Sequence, residues 1–543
     1  MKKYLLRIRA HLFLQFLFII ISTISEAMIP LIHREVFDQN DRFSFSLPFL
    51  IFANIFLYII FCTFSYLHSI QLWKVGIKIE KHMKEDFFRS IANMKYCKFA
   101  KKDIGEYISM QNNEISIIET DYLTPMQDLI NSIFILLIYG IVLFAFVDFR
   151  IALTILISSI ASVYMANLTA IPLSKKRMIY TDYLAIYTTK VKDFLDGKKS
   201  ITSKTTPAIL TEHNKTLDNL LEKRYSYGKF KSFSLAFNGF ITLNISVVTF
   251  AVVAYLLYAD EITVGTAVAT MGYVGAFLSP IQSIVYDVNA IQSVKGVKDK
   301  VINFLMQSNE YPLTDLAEFK RTIRFESVSI SHSRFTIKDL SLTLEKGKKY
   351  ALIGHNGSGK STLMNLFMKF YESEEGAIYV DNNDISKFDI SKIVCLISQN
   401  EHIFNTGFHD NVTIFNTFPF PSKNTYNFIK GDKYNKISEQ ESSAKLSGGE
   451  KQILAVLRML AAGCEICIMD EPFSAMDQIT AKIVQSSLMQ LEDKTIIIIT
   501  HDISDNLELF DEIILMEDGK IIKKGTYEDI VQLDSYKKLI SSY

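Results

Sequence analysis

Up to about residue 300 the chain is dominated by apolar stretches long enough to cross a bilayer as helix, and beyond that point the pattern changes. A spanning helix needs about 20 predominantly apolar residues, because every backbone polar group must be satisfied within the segment. The sequence predicts six spans, at about 11–32, 46–72, 123–147, 151–174, 232–258 and 263–290. The first follows "MKKYLLRIRA", which has the charge of a signal-peptide start. Its apolar run is too long, however, and no small-x-small cleavage site follows, so it reads as an uncleaved span. With 543 residues and 49% hydrophobic side chains, the chain fits a chimera of membrane and soluble parts.

The gaps between spans are uneven. Roughly 50 residues separate spans 2 and 3 and nearly 60 separate spans 4 and 5, whereas the other gaps are short. Lys74, Lys78, Lys81, Lys84, Arg89, Lys101 and Lys102 populate the first long gap, and Lys175, Lys176, Arg177, Lys190, Lys192, Lys198 and Lys199 the second. Positive charge stays cytoplasmic, so both long gaps and the N-terminus are expected inside, with the spans continuing into the cytosol as helix. Lys plus Arg equals Asp plus Glu at 58 each, and no basic excess argues for a nucleic-acid partner. Five cysteines, at 62, 97, 395, 464 and 467, are too few and too odd for a disulfide framework, which favours a reducing compartment.

After about residue 320, short β-branched runs such as "KKYALIG", "EICIMD" and "KTIIIITHD" alternate with helical stretches. That pattern predicts an α/β domain with a largely parallel sheet over 320–543, joined by a linker at 301–319 to an all-α six-helix transmembrane domain over 1–300. Within the second domain "GHNGSGKST" (354–362) fits G-x-x-x-x-G-K-[ST], following a strand and opening a helix. Its glycines let backbone N–H groups curl around phosphate oxygens, and the helix N-terminus adds partial positive charge. The nucleotide is expected to meet Gly354, Asn356, Gly357, Ser358, Gly359, Lys360, Ser361 and Thr362, with Lys360 reaching the β/γ-phosphates and Ser361 offering its hydroxyl to Mg²⁺. "ICIMDE" is an apolar strand ending in two carboxylates, of which Asp470 is placed to hold Mg²⁺ and Glu471 to polarise the attacking water. Cys464 and Cys467 stand where small apolar side chains pack under such a site. A zinc site would want a second pair, and Cys62, Cys97 and Cys395 are scattered singles, so neither metal nor redox chemistry is expected of these cysteines.

The P-loop is followed in order by "ISQN" (397–400), "LSGGEKQ" (446–452), "CIMDEP", "SAMD" (474–477) and "IIITHD" (497–502). That succession resembles the ATP-binding domain of ABC transporters, and the six spans with two long cytoplasmic gaps resemble the exporter-type membrane domain. The likeness covers essentially the whole chain. It implies a head-to-tail dimer of ATP domains with two ATP molecules at the interface, each touching the P-loop of one chain and Ser447, Gly448 and Gly449 of the other. It further implies that Gln399 senses Mg²⁺ and water and contacts the membrane domain, that His501 holds the γ-phosphate, and that Asp477 couples the two sites. One copy of each motif makes the chain a half-transporter, with a homodimer the economical reading and a heterodimer the alternative. The expected setting is a plasma or inner membrane, with the ATP domain cytoplasmic.

Three departures stand out. Where such exporters carry a tyrosine that stacks on adenine, this chain has His332, with Phe335 a nearby rival. The segment between Gln399 and Leu446 is shorter than usual, and "SEQESS" replaces the usual glycine- and arginine-bearing loop, leaving Glu441 as a candidate contact to the opposite membrane domain. "FAKKDIGEYIS" (99–109) and "DFLDGKKSI" (193–201) resemble the surroundings of the two coupling helices. Within the spans Glu26, Asn54, Asn131, Asn167, Asn238, Asn244, Gln282, Asp287 and Asn289 are polar groups with either a cargo role or a helix–helix role. The resulting expectation is an ATP-hydrolysing exporter of an amphiphilic cargo, with a peptide among the options. The alternatives are an ATP-gated channel or regulator and an importer on the same scaffold. A peptidase-transporter would carry an extra N-terminal cysteine-protease domain, whereas here the first span begins within about ten residues.

Overall fold

The computed structural model describes residues 1–38, 46–307, 314–316, 318–332, 335–399, 401–422, 438, 446–501 and 506–541. "SEQESS" with Glu441 lies outside the described residues, as do the side chains of Asn167, His332 and Phe335. The chain divides into two compact units, residues 1–92 with 103–309 and residues 93–102 with 310–543.

The first unit is helical. Its long elements are α1 (Arg9–Asp38), α2 (Leu47–Ala92), α3 (Thr124–Phe146), α4 (Phe149–Asp196), α5 (Thr206–Tyr258), α6 (Val264–Ser293) and α7 (Lys295–Gln307). The charged gaps continue the spans without a break, giving helices of 46, 48 and 53 residues for α2, α4 and α5. At about 1.5 Å per residue these run to roughly 70–80 Å, more than twice the thickness of a hydrocarbon core. Among the described residues five helical runs are long and apolar enough to cross a membrane: Arg9–Asp38, Leu47–Ala92, Ile104–Phe146, Thr206–Tyr258 and Val264–Ser293. The expected fourth span opens α4 with a shorter apolar stretch, Phe149–Ser162, beyond which Asn167, Thr169, Pro172 and Ser174 dilute the hydropathy. Helix α7 occupies the start of the segment read as linker.

The run 104–146 is not uniform α-helix. Two π-helical turns, Met110–Glu114 and Glu119–Leu123, precede α3, and the Glu119 carboxylate lies where a side chain on Gly76 would begin, 2.2 Å from an ideal Cβ.

The core of this unit gathers Ala27, Tyr139, Leu143, Ile155, Tyr273 and Phe277. Tyr139 meets Tyr273 and Phe277 edge-on, with centroids at 6.0 and 6.1 Å. Pro30, inside α1, weakens the backbone bonding of the turn before it, and the Tyr273 hydroxyl donates to the Ala27 carbonyl there at 2.8 Å. Two of the polar span residues pair between helices, Asn54 with His33 at 3.0 Å and Asn131 with His68 at 3.1 Å. Asn244 donates to its own helix, at Phe240 O. Asp287 is 3% exposed, and Gln282 is exposed.

In the second unit β1 (Thr322–His332), β2 (Phe335–Glu345) and β4 (Glu375–Val380) form an antiparallel sheet with Asn383–Asp384. A six-stranded sheet runs in the order β9–β8–β3–β7–β6–β5, with β3 at Lys349–Ile353, β5 at Val394–Ile397, β6 at Ile466–Asp470, β7 at Thr495–Ile499, β8 at Glu512–Glu517 and β9 at Lys520–Gly525. All neighbours in it are parallel except the β8–β9 hairpin. Strand β7, "TIIII", is buried along its whole length, as expected for a parallel strand covered on both faces. Helices α8 (Lys360–Phe367), α9 (Gly448–Ala462) and α10 (Gln478–Met489) cover the sheet. One core packs the two sheets around Phe325, Phe367 and Ile497, and the other lies against Val456, Val484 and Ile513. The short helix Tyr96–Phe99 belongs to this unit, with the Tyr96 ring 4.4 Å from Phe370 and Lys95 Nζ 3.6 Å from Glu372.

One side chain joins the outer ends of α1 and α6. Asp38 accepts from Gly265 N at 2.8 Å and from the Thr263 hydroxyl at 2.7 Å, satisfying donors at the start of α6. Gly265 leaves room for this, since a Cβ there would fall 2.4 Å from Asp38 Oδ1. Replacing Asp38 by Ala is expected to cost about 1–3 kcal/mol, read as a lower thermal unfolding midpoint in detergent. Asp38→Asn, which keeps one acceptor oxygen, should recover part of the loss. An unchanged midpoint in Asp38→Ala would refute the capping role.

Candidate functional site

Strand β3 delivers the P-loop. Gly354, Gly357 and Gly359 all take positive φ, and at Gly354 a Cβ would lie 2.2 Å from Met516 O of the adjoining strand, so only glycine fits. Asn356 is exposed at the loop tip, and Thr362 is buried in the first turn of α8. The Lys360 ammonium folds back to donate to Gly354 O at 2.6 Å and His355 O at 3.0 Å, which closes the loop into a ring. Burial lowers its proton affinity, countered by Asp470 and Glu471. Ser358 is 4% exposed and its hydroxyl has no hydrogen-bond partner, a buried polar group inside a cradle of amides that an anionic ligand suits.

Strand β6 ends at Asp470, and the Ser361 hydroxyl donates to that carboxylate. Burial pushes the Asp470 carboxyl up, with Glu471 adding to the effect and Ser361 opposing it. Ser361, Asp470 and Gln399 offer oxygen atoms only, a donor set that fits a hard divalent cation such as Mg²⁺. Glu471 follows with φ of +49°, a left-handed conformation unusual for a side chain of this kind. It turns the carboxylate between two groups: Gln399 Nε2 donates to Oε2 at 2.7 Å, and His501 Nδ1 lies 2.9 Å from Oε1. The three residues expected to act in hydrolysis thus meet at one carboxylate.

Ser447, Gly448 and Gly449 stand at the N-terminus of α9. Ser447 and Glu450 form a reciprocal capping box, with Ser447 N donating to Glu450 Oε2 at 2.8 Å. Gly449 packs against the loop after Glu471, where a Cβ would meet Ala475 O at 2.7 Å. Asp477 caps α10, accepting from Thr480 N at 2.9 Å and the Thr480 hydroxyl at 2.8 Å. His332 closes β1 opposite Phe335.

Gln452, the last residue of "LSGGEKQ", carries no role that its place in the sequence announces. Its Nε2 donates to Ser474 Oγ at 3.1 Å and its Oε1 accepts from Ala475 N at 3.0 Å, so it ties the signature helix to the "SAMD" loop. The reading of Cys395 as a scattered single is corrected by strand pairing. Cys395 and Cys467 are register partners on β5 and β6, with sulfurs 3.6 Å apart. No group of three or more His, Cys, Asp or Glu side chains suited to a metal ion occurs among the described residues.

Two family models match the chain: "ABC transporter transmembrane region" over residues 12–281 and "ABC transporter" over residues 337–474. The putative ABC transporter ATP-binding protein exp8 of Streptococcus pneumoniae is 25% identical over 97% of this chain and 94% of its own length. The mesentericin transport/processing ATP-binding protein MesD of Leuconostoc mesenteroides is 25% identical over 89% of this chain and 69% of its own. The ATP-dependent lipid A-core flippase of Escherichia coli is 29% identical over 51% of this chain and 52% of its own. The solved structure of a bacterial Atm1-family ABC exporter with ATP bound superposes with a TM-score of 0.80 over 98% of this chain and 99% of that one, at 17% identity, which speaks to the fold. A helical membrane domain matched by one model, a P-loop domain matched by the other, and an ABC transporter relative over nearly the whole length place this chain in the ABC transporter family, as a multi-pass membrane half-transporter of the exporter type that couples ATP hydrolysis to transport.

Proposed function

We propose that two copies of this chain pair head to tail to export an amphiphilic cargo, with Glu471 as the group that activates water at each of two ATP sites. The observation that carries the catalytic part is the bridging of Glu471 by Gln399 and His501. A carboxylate fixed at both oxygens is oriented before substrate arrives, which lowers the reorganisation needed in the transition state. Lys360 and the P-loop amides hold the β- and γ-phosphates, and His501 stands ready to shift from Glu471 to the γ-phosphate. Ser361, Asp470 and Gln399 would hold Mg²⁺, whose charge would offset that of the phosphates. Ser447, Gly448 and Gly449 of one copy would complete the site of the other. Gln452 and the loop to Asp477 would relay the state of one site to the next, because a shift of the signature helix moves the loop that follows Glu471.

The cargo class rests on an apolar groove of about 530 Å³ in the membrane domain, walled by Leu136, Gly140, Phe144, Leu156, Ile160 and Phe277. Its chemistry suits an acyl chain or an apolar peptide segment. Relatives described as a lipid A-core flippase and a mesentericin transport/processing protein support either choice. Cargo taken from the cytoplasm or inner leaflet would leave when ATP binding draws the two ATP domains together.

Glu471→Gln is expected to keep ATP binding while turnover falls ~100-fold or more, with the ATP domains trapped together as seen by crosslinking. Full residual ATPase would remove Glu471 from its role. Gln452→Ala should lower kcat severalfold and weaken the dependence of one site on the other, measured as a loss of cooperativity in ATP. Unaltered cooperativity would count against the relay. An ATPase stimulation screen in lipid nanodiscs, run with lipids and with apolar peptides, separates the cargo options. Stimulation without uphill movement in vesicles would favour a gated channel over a pump.

A further inference from the structure

The ATP-binding domain holds a thiol cluster that nucleotide chemistry does not use. Cys395 lies on β5 and Cys467 faces it on β6, with their sulfurs 3.6 Å apart. Cys464, just before β6, is 4% exposed and in hydrogen-bond contact with Cys395. The Lys494 ammonium donates to the carbonyls of Gly463 and Cys464 at 2.7 and 2.8 Å, which brings a positive charge beside the Cys464 thiol. Hydrogen bonding from Cys395 lowers the Cys464 pKa, and Lys494 adds to this. Its contacts with Cys464 and Cys467 move Cys395 the other way. A cavity of about 630 Å³ has Cys395 and Cys464 in its wall beside Val394, Arg458, Met459 and Ala462. That volume admits molecules of a few heavy atoms, since a water takes about 30 Å³ of liquid.

We propose that this cluster is an oxidisable dithiol site for small hydroperoxides, with Cys464 the reacting thiol and Cys395 the resolving one. The Cys464 thiolate attacks one peroxide oxygen and the O–O bond breaks. The departing alkoxide or hydroxide takes up a proton, and Cys464 is left as a sulfenic acid. The Cys395 sulfur then attacks Cys464 sulfur, the S–S bond forms, the S–O bond breaks, and hydroxide leaves with the Cys395 proton as water. Two thiols lose two electrons and two protons while the hydroperoxide becomes an alcohol and water. Exchange with Cys467, 3.6 Å from Cys395, can move the bond onto the strand itself.

The position gives the bond a consequence. Cys395 precedes Gln399 by four residues on β5 and its run-out, and Cys467 precedes Asp470 by three on β6. A disulfide would fix the spacing of the strands that deliver Gln399 and Glu471, the two ends of a 2.7 Å hydrogen bond. Oxidation is therefore expected to slow ATP hydrolysis.

The test uses the full chain in nanodiscs, treated with hydrogen peroxide, denatured, alkylated and mapped by mass spectrometry, with cleavage after Glu465 to separate Cys464 from Cys467. The expected result is a disulfide joining Cys395 to Cys464 or Cys467, with ATPase reduced severalfold and both effects reversed by dithiothreitol. Cys395→Ser should keep basal ATPase and lose the peroxide sensitivity. Cys395 remaining fully alkylatable in peroxide-treated wild type would overturn the proposal, and so would inhibition that persists in Cys395→Ser. Mapping in the wild type decides the matter even where a variant fails to fold.

Discussion

The parallel pairing of β3, β7 and β6 is the constraint on which the ATP-binding domain depends. Ile496–Ile499 run beside Lys349–Leu352 on one side, and Thr495–Ile499 beside Ile466–Asp470 on the other. This register ends three strands at one level, so the P-loop, the Asp470–Glu471 pair and the Thr500–His501 turn leave the sheet together. Open parallel sheets bind ligands at the carboxyl ends of their strands because loops and helix N-termini converge there. A one-residue slip would turn every side chain over and separate these groups. The buried β-branched side chains of β7 hold the register by filling both cores at once.

The parts of the site carried by contiguous residues were legible in the sequence. The P-loop's glycines and the strand ending in Asp470 and Glu471 state their chemistry by spacing alone. The signature, "SAMD" and "IIITHD" segments gained meaning from their order. Contacts set by pairing across long separations were not legible. Cys395 looked solitary because only the β5–β6 register brings it to Cys467. Asp38 capping α6 joins residues more than two hundred positions apart, and nothing local announces it. Asp477 shows a different limit. Its motif suggested a role between chains, and within one chain it is a helix cap, a task any Asp before a helix performs.

In the membrane domain, apolar length points to the spans, and the charged gaps continue α2, α4 and α5 as helix. Hydropathy weakens along α4, where small polar residues gather after Ser162. The polar span residues divide by physics. Asn54 and Asn131 each pair with a histidine of a neighbouring helix, as packing devices between helices do. Asp287 is buried and one of its carboxylate oxygens has no hydrogen-bond partner. Pairing with a neighbouring helix does not account for that oxygen.

Glu471 occupies a backbone conformation that favours glycine. The carboxylate is thus kept at a conformational cost, of order 1 kcal/mol for a residue of this type. A chain that exchanged it for glycine would lose the carboxylate that Gln399 and His501 hold and relax the turn at the same time. Stability of the turn and retention of the carboxylate thus pull in opposite directions at this one position. The glutamate at this strand end is therefore held against the preference of its own backbone, visible in one angle.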